Sequence, residues 1–194
     1  MKYLRRITAA CQICTEVKPR FYKMPVGTLI KATKPFERVS VDFKGPLPTN
    51  DSYPYLLTIV DEFSRFPFAY PCKDLSAASV IKCFTDLFTT FGMPAFVHSD
   101  GRGTAFLSRE VTSFLYSRGT ATSHSSPYNP QGNGQIETYN DTIWKAVTLA
   151  LKTKGLKNTQ WTAALPEALH SIRSLLCTAT NCTPHERMFH HIRH

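Results

Sequence analysis

Hydrophobic and polar positions along the chain switch between two periods, and the switches mark its elements. From Cys14 to Pro35 the sequence is polar, basic and turn-rich, with Pro19, Pro25 and Gly27, which reads as a linker. Phe36 to Phe43 then alternates. Val39, Val41 and Phe43 fall on one face and Ser40 and Asp42 on the other, predicting a strand that Gly45-Pro46 ends. Tyr55 to Asp61 predicts a second, largely apolar strand, and Phe63-Ser64-Arg65 turns it into a third over Phe66 to Tyr70. The period next becomes helical: Ala77, Val80, Ile81, Phe84, Leu87, Phe88 and Phe91 share a face, with Asp74 or Ser76 as cap and Gly92-Met93-Pro94 as stop. A short strand at 95–98 runs out at Ser99-Asp100, a helix is predicted over 108–118, and a strand over 120–123.

A loop containing Pro130, Gly132 and Gly134 opens a long helix that ends near Lys154-Gly155. Its apolar side carries Ile136, Ile143, Val147, Ala150 and Leu151. Glu137, Asp141, Lys145, Thr148 and Lys152 lie on another side, so Glu137 faces outward from the first turn. A last helix is predicted over 161–176, and Thr183 to His194 reads as a turn-rich tail. Three strands, a helix, a strand and further helices predict an α/β fold in which helices flank a mixed sheet.

Composition narrows the class. A length of 194 residues with 42% hydrophobic content supports one folded domain with a substantial core. No run approaches eighteen apolar residues, so no membrane partner is expected. The net charge is +9, and residues 1–34 carry eight Lys/Arg against one acid, leaving +2 for residues 35–194. The basic excess is therefore mostly an N-terminal arm, which suits either a polyanion partner or a solvated tail. Six cysteines do not form a disulfide framework in a chain of this length; Cys72, Cys83, Cys177 and Cys182 are expected as core or surface thiols. Cys11 and Cys14 form a C-x2-C pair, an incomplete zinc site whose first possible histidine partner is His98.

Asp42 within a core-like strand, Asp100 at a strand end and Glu137 at a helix start are carboxylates from separate elements that this architecture can assemble. Hard oxygen ligands of this kind suit Mg2+, and a pair of ions can activate an attacking oxygen while stabilising a leaving one. The alternative is three ordinary solvated acids among fourteen.

The segments VSVDFKGPLP, VDEFSRFPFAYP, HSDGRGTAF, SPYNPQGNGQIETYNDTIWKAV and RSLLCTATNCTPHERMF resemble the catalytic core of a retroviral-like integrase of the gypsy type, over essentially all of residues 36–189. The resemblance implies a ribonuclease-H-like fold with a five-stranded mixed sheet, and a catalytic, metal-binding triad of Asp42, Asp100 and Glu137 with two Mg2+ or Mn2+ ions. It implies a polynucleotidyl transferase that hydrolyses element DNA ends and joins the 3′ ends to target DNA, as a homo-oligomer on double-stranded DNA in the nucleus. Gln131, Asn133 and Gln135 fall in the family's catalytic loop and by that resemblance contact DNA, although short amides between glycines equally suit a plain loop. Tyr128 is expected either to stack on a base or to pack at the loop base, and the resemblance implies that Lys145 faces DNA.

Three departures bear on activity. Thirty-six residues, not thirty-five, separate Asp100 from Glu137, and Gly101 looks like the surplus one. Asp141 stands where the family carries a basic residue and is expected to repel phosphate, with Lys145 in partial compensation. Cys11 and Cys14 match the last two ligands of an integrase zinc domain whose two histidines are absent, so Zn2+ is not expected here. The domains read as a basic arm with a zinc-module remnant at 1–35, a catalytic core at 36–189 and a tail at 190–194. A fragment or degenerate copy is expected, and the alternative function is a weak or inactive integrase-derived nucleic-acid-binding protein. Asp61 and Glu62 are expected as turn and surface residues.

Overall fold

The computed structural model describes residues 32–100, 104–125, 134–177 and 180–191, with the backbone alone at 134 and 135. Strands β1 (Arg38–Lys44), β2 (Tyr55–Asp61) and β3 (Pro67–Cys72) precede helix α1 (Ala77–Phe91) and strand β4 (Phe96–Asp100). Helix α2 (Arg109–Tyr116), strand β5 (Ala121–Ser125), helix α3 (Gly134–Thr153), helix α4 (Trp161–Ser174) and helix α5 (Pro184–Phe189) complete the order. The sheet runs β3-β2-β1-β4-β5. β1, β2 and β3 pair antiparallel as a meander, whereas β1–β4 and β4–β5 are parallel. The pattern predicts a mixed sheet flanked by helices, and the five strands in the ribonuclease-H-like arrangement are those the resemblance implies.

Strand alternation divides the apolar side chains between two cores. Val39 and Val41 of β1 and Leu57 and Ile59 of β2 face α1 and α2, meeting Val80, Phe84, Leu87, Val111 and Leu115. Leu56 points the other way and packs with Ile143, Val147, Leu151, Trp161 and Leu165 of α3 and α4. Ser40, Asp42 and Thr58 share that second face by alternation, which puts Asp42 beneath α3.

The helix ends follow local chemistry. Ser76, rather than Asp74, caps α1, its side chain accepting from the Ser79 amide; Asp74 instead accepts from Ser76 and Ser79. Gly92 stops α1 at φ 84, a left-handed backbone that glycine adopts without strain. Ser108 caps α2, accepting from the Val111 amide at 3.2 Å.

Two expectations are corrected. The tail after Thr183 is a helix: Thr183 and Glu186 form a reciprocal capping box with Pro184 in the first turn. Helix α5 is held by tertiary burial of Met188 and by an edge contact of Phe189 with Phe66 at 5.5 Å. Asp61 and Glu62 are not surface residues either. Asp61 is fully buried, and Glu62 accepts from Arg38 Nε at 2.9 Å and Ser40 Oγ at 2.6 Å. The polar turn pattern concealed that these acids point inward to gather donors from β1 and the hairpin.

Candidate active site

β1 and β4 are parallel neighbours in the register Val41↔Ser99. Asp42 and Asp100 each directly follow that last pair, so alternation puts both on one face of the sheet. β4 ends at Asp100, half-buried, and its other side is fastened to β5 by hydrogen-bonded pairs, Ser99 Oγ with His124 Nδ1 at 2.8 Å and His98 Nδ1 with Ser123 Oγ at 2.9 Å.

The third carboxylate comes from α3. Ile136 and Asn140 are buried, while Glu137 in the first turn is exposed. Asn140, one turn after Glu137 and on its side of the helix, donates from Nδ2 to Asp42 Oδ2 at 2.8 Å. This bond joins the start of α3 to β1. Asn140 was not singled out from the sequence; its signal was the three-residue offset from Glu137, which sets both side chains over one stretch of surface.

The electrostatics record the gathering of the acids. Burial pushes the Asp42 carboxyl up to about 6. The Phe43 amide acts against this, the charges of Asp100 and Glu137 add to the rise, and the Asn140 hydrogen bond opposes it. Asp42 thus feels both other carboxylates. Among the described residues no three His, Cys, Asp or Glu side chains are gathered tightly enough to hold a metal ion. The three acids share an electric field without forming a closed coordination shell. Their donor chemistry still fits a hard divalent cation: the oxygens are carboxylate, and the repulsion that lifts Asp42 is what such a cation would relieve.

Asp141, expected to repel phosphate, is instead ion-paired. Lys44 Nζ of β1 lies 3.0 Å from Asp141 Oδ1, and this bond, with the Lys44 charge and then that of Lys145, holds Asp141 below the usual carboxylate range. Lys145 is exposed one turn further along α3. Tyr128, Gln131 and Asn133 lie outside the described residues, as do Gly101, Cys11 and Cys14, and of Gln135 only the backbone is described.

Comparison with known proteins decides the family. The integrase core domain matches residues 32–130. The chain belongs to the integrase core domain family. It is 31% identical over 190 residues to the Pro-Pol polyprotein of feline foamy virus, a match covering 97% of this chain and 16% of that polyprotein. The chain therefore spans about one sixth of that relative's length. Among solved structures, the simian T-cell lymphotropic virus intasome in complex with the PP2A regulatory subunit B56 gamma superimposes with a TM-score of 0.80 at 22% identity, covering 97% of this chain and 66% of that one. The HTLV-2 integrase catalytic core domain in complex with magnesium gives 0.67 at 21% identity, covering 81% and 99%. At these identities the structures establish the ribonuclease-H-like integrase core fold.

Proposed function

We propose that this integrase core is a polynucleotidyl transferase that hydrolyses the ends of an element's DNA and joins the 3′ ends to target DNA. The observation that carries the reading is Asp42: a carboxyl held by Asn140, lifted to about 6, and facing the charges of Asp100 and Glu137. Asp42, Asp100 and Glu137 are the residues proposed to hold two Mg2+ or Mn2+ ions, and the HTLV-2 core is described in complex with magnesium. When bound, such ions activate the attacking oxygen and stabilise the leaving oxygen of a phosphodiester.

The chain's own part is orientation. Asn140 fixes the Asp42 oxygen that accepts its hydrogen bond, and the β1–β4 ladder ends at Val41↔Ser99, one residue before both aspartates. Lys145, with Tyr128, Gln131, Asn133 and Gln135 of the loop before α3, is proposed to contact DNA. The proposed partners are double-stranded element and target DNA and further copies of the chain, and action on chromosomal DNA sets the nucleus as the place of work. The gypsy-type origin is proposed from the segments quoted above, within the broader group of retroviral-like integrases to which the chain belongs. A remnant zinc module at Cys11 and Cys14 in a basic arm over 1–35 is proposed on the same grounds.

The test is end processing and strand transfer on a short duplex with Mg2+ or Mn2+. Product from the wild-type chain, and none from Asp42→Asn, Asp100→Asn or Glu137→Gln in folded form, is the expected result; product from those variants contradicts the assignment. A second reading, a DNA-binding protein without useful turnover, is favoured by the lack of a closed three-ligand shell among the described residues. It predicts salt-sensitive DNA binding with no product from the wild type. Deleting Gly101 and placing Lys at 141 raises product if those two departures limit the enzyme, and no rise removes that explanation.

A further inference from the structure

Away from the carboxylates, at the far end of β3, two thiols face each other. Cys72 closes β3 and Cys83 lies midway along α1, with their Sγ atoms 3.7 Å apart, in van der Waals contact. Both line a cavity of about 600 Å³ together with Tyr53, Tyr70, Lys73 and Lys82. Cavities of this volume accept small organic ligands. Each cysteine is almost wholly covered, so the cavity is the route by which a reagent reaches the sulfurs.

We propose that Cys72 and Cys83 form a dithiol modification site that reacts with a small peptide disulfide entering this cavity and closes into an intramolecular disulfide. The two thiols are not equivalent. The hydrogen bond from Cys83 and the Leu57 amide hold Cys72 below the ordinary thiol range against the opposing effect of burial, and Lys82 acts in the same direction. The same bond and burial push Cys83 up. In the resting protein the Cys72 S–H also donates to the Tyr70 carbonyl at 3.5 Å, a bond that must break before Cys72 reacts. The contact and the shared cavity let either sulfur attack and the other resolve; attack is assigned to Cys72, an order that the two single-thiol variants read directly.

The chemistry balances as thiol–disulfide exchange. The Cys72 thiol loses its proton to solvent, and the thiolate attacks one sulfur of RSSR, forming Cys72–S–S–R and releasing RS⁻. Cys83 then loses its proton to solvent and attacks Cys72 Sγ, forming the Cys72–Cys83 bond and releasing the second RS⁻. The two protein thiols lose two electrons, and RSSR gains them to leave two RSH. The bridge ties the end of β3 to the middle of α1 and restricts the unfolded chain, which raises Tm by about 5 °C.

The test uses the full chain with Cys11, Cys14, Cys177 and Cys182 replaced by Ser, incubated with oxidised glutathione and then alkylated. The expected product is one species about 2 Da lighter than the reduced chain before alkylation, refractory to alkylation, yielding a linked Cys72–Cys83 peptide and the higher Tm. Adding Cys83→Ser halts the reaction at one glutathione adduct on Cys72, and adding Cys72→Ser slows modification at least about tenfold. Peptide mapping of the oxidised wild-type chain reads the same linkage if the multiple variant fails to fold. No linked peptide in either protein, or equal adduct formation by the two single-thiol variants, overturns the proposal.

Discussion

Asp42 and Asp61 are the same residue type on adjacent strands, three rungs apart along the β1–β2 ladder, where Asp42 pairs with Thr58 and Asp61 with Val39. Burial pushes both carboxyls up. Around Asp61 the protein supplies the answering donors: the Phe36 amide at 2.8 Å on Oδ1, and the Ser64 amide at 2.7 Å and hydroxyl on Oδ2. Around Asp42 it supplies the Asn140 amide and the Phe43 N–H, then two further carboxylates. Burial by itself therefore does not separate Asp61, a structural acid, from Asp42, the proposed ligand. Glu62 also raises Asp61, but there three hydrogen bonds answer the carboxylate, whereas Asp42 faces two carboxylates with fewer donors.

The strongest way to break the comparison is to neutralise each acid in turn. Asp42→Asn is expected to lower strand transfer by at least about 10³-fold while the chain stays folded, as read by product formation and circular dichroism. Asp61→Ala is expected to do the opposite: it strands the Phe36 and Ser64 amides and lowers unfolding free energy by about 2–4 kcal/mol in a urea titration, leaving metal binding intact. Equal loss of activity and stability in both variants would erase the distinction.

The charge on Asp42 also sharpens the comparison through pH. Its folded pKa of about 6 lies above the ordinary 3.8, so its contribution is fully present below about pH 4 and is lost as pH rises through 6. In chelator at pH 8, Asp42→Asn should therefore be more stable than wild type, by at most about 3 kcal/mol. Solvent access to this partly exposed group reduces that figure. The gain should vanish at pH 3.5, and a gain independent of pH would show that the Asp42 charge is not its source.

Much of this was legible in the sequence. The switches between period 2 and period 3.6 located the first four strands and the first four helices, because each buries a stripe its own residues define; β5, with no buried residue, was placed only by its position between α2 and the loop before α3. Asp42 and Glu137 stood out because each interrupts or opens such an element. Contacts that join distant segments were not legible. Asn140 to Asp42 spans 98 positions and Lys44 to Asp141 spans 97, and both depend on α3 crossing β1, which no local pattern states. Helix α5 was missed for another reason: six residues are too few to show a period, although Thr183 and Glu186 carried a readable capping box.

The smallest expected effect concerns that Lys44–Asp141 pair. Asp141→Asn releases Lys44 toward phosphate and should tighten duplex DNA binding by about threefold at low salt, with stability changed by less than about 0.5 kcal/mol. Unchanged binding across a salt series would mean that Lys44 does not face the DNA.

Central to the account is that Asp42, Asp100 and Glu137 together hold divalent cations. Calorimetric titration of Mn2+ into the metal-free chain, beside Asp42→Asn, Asp100→Asn and Glu137→Gln, tests this most directly. Saturable binding to the wild type that weakens in all three variants is the predicted result. No saturable binding to the wild type, or binding that survives all three substitutions unchanged, would contradict it.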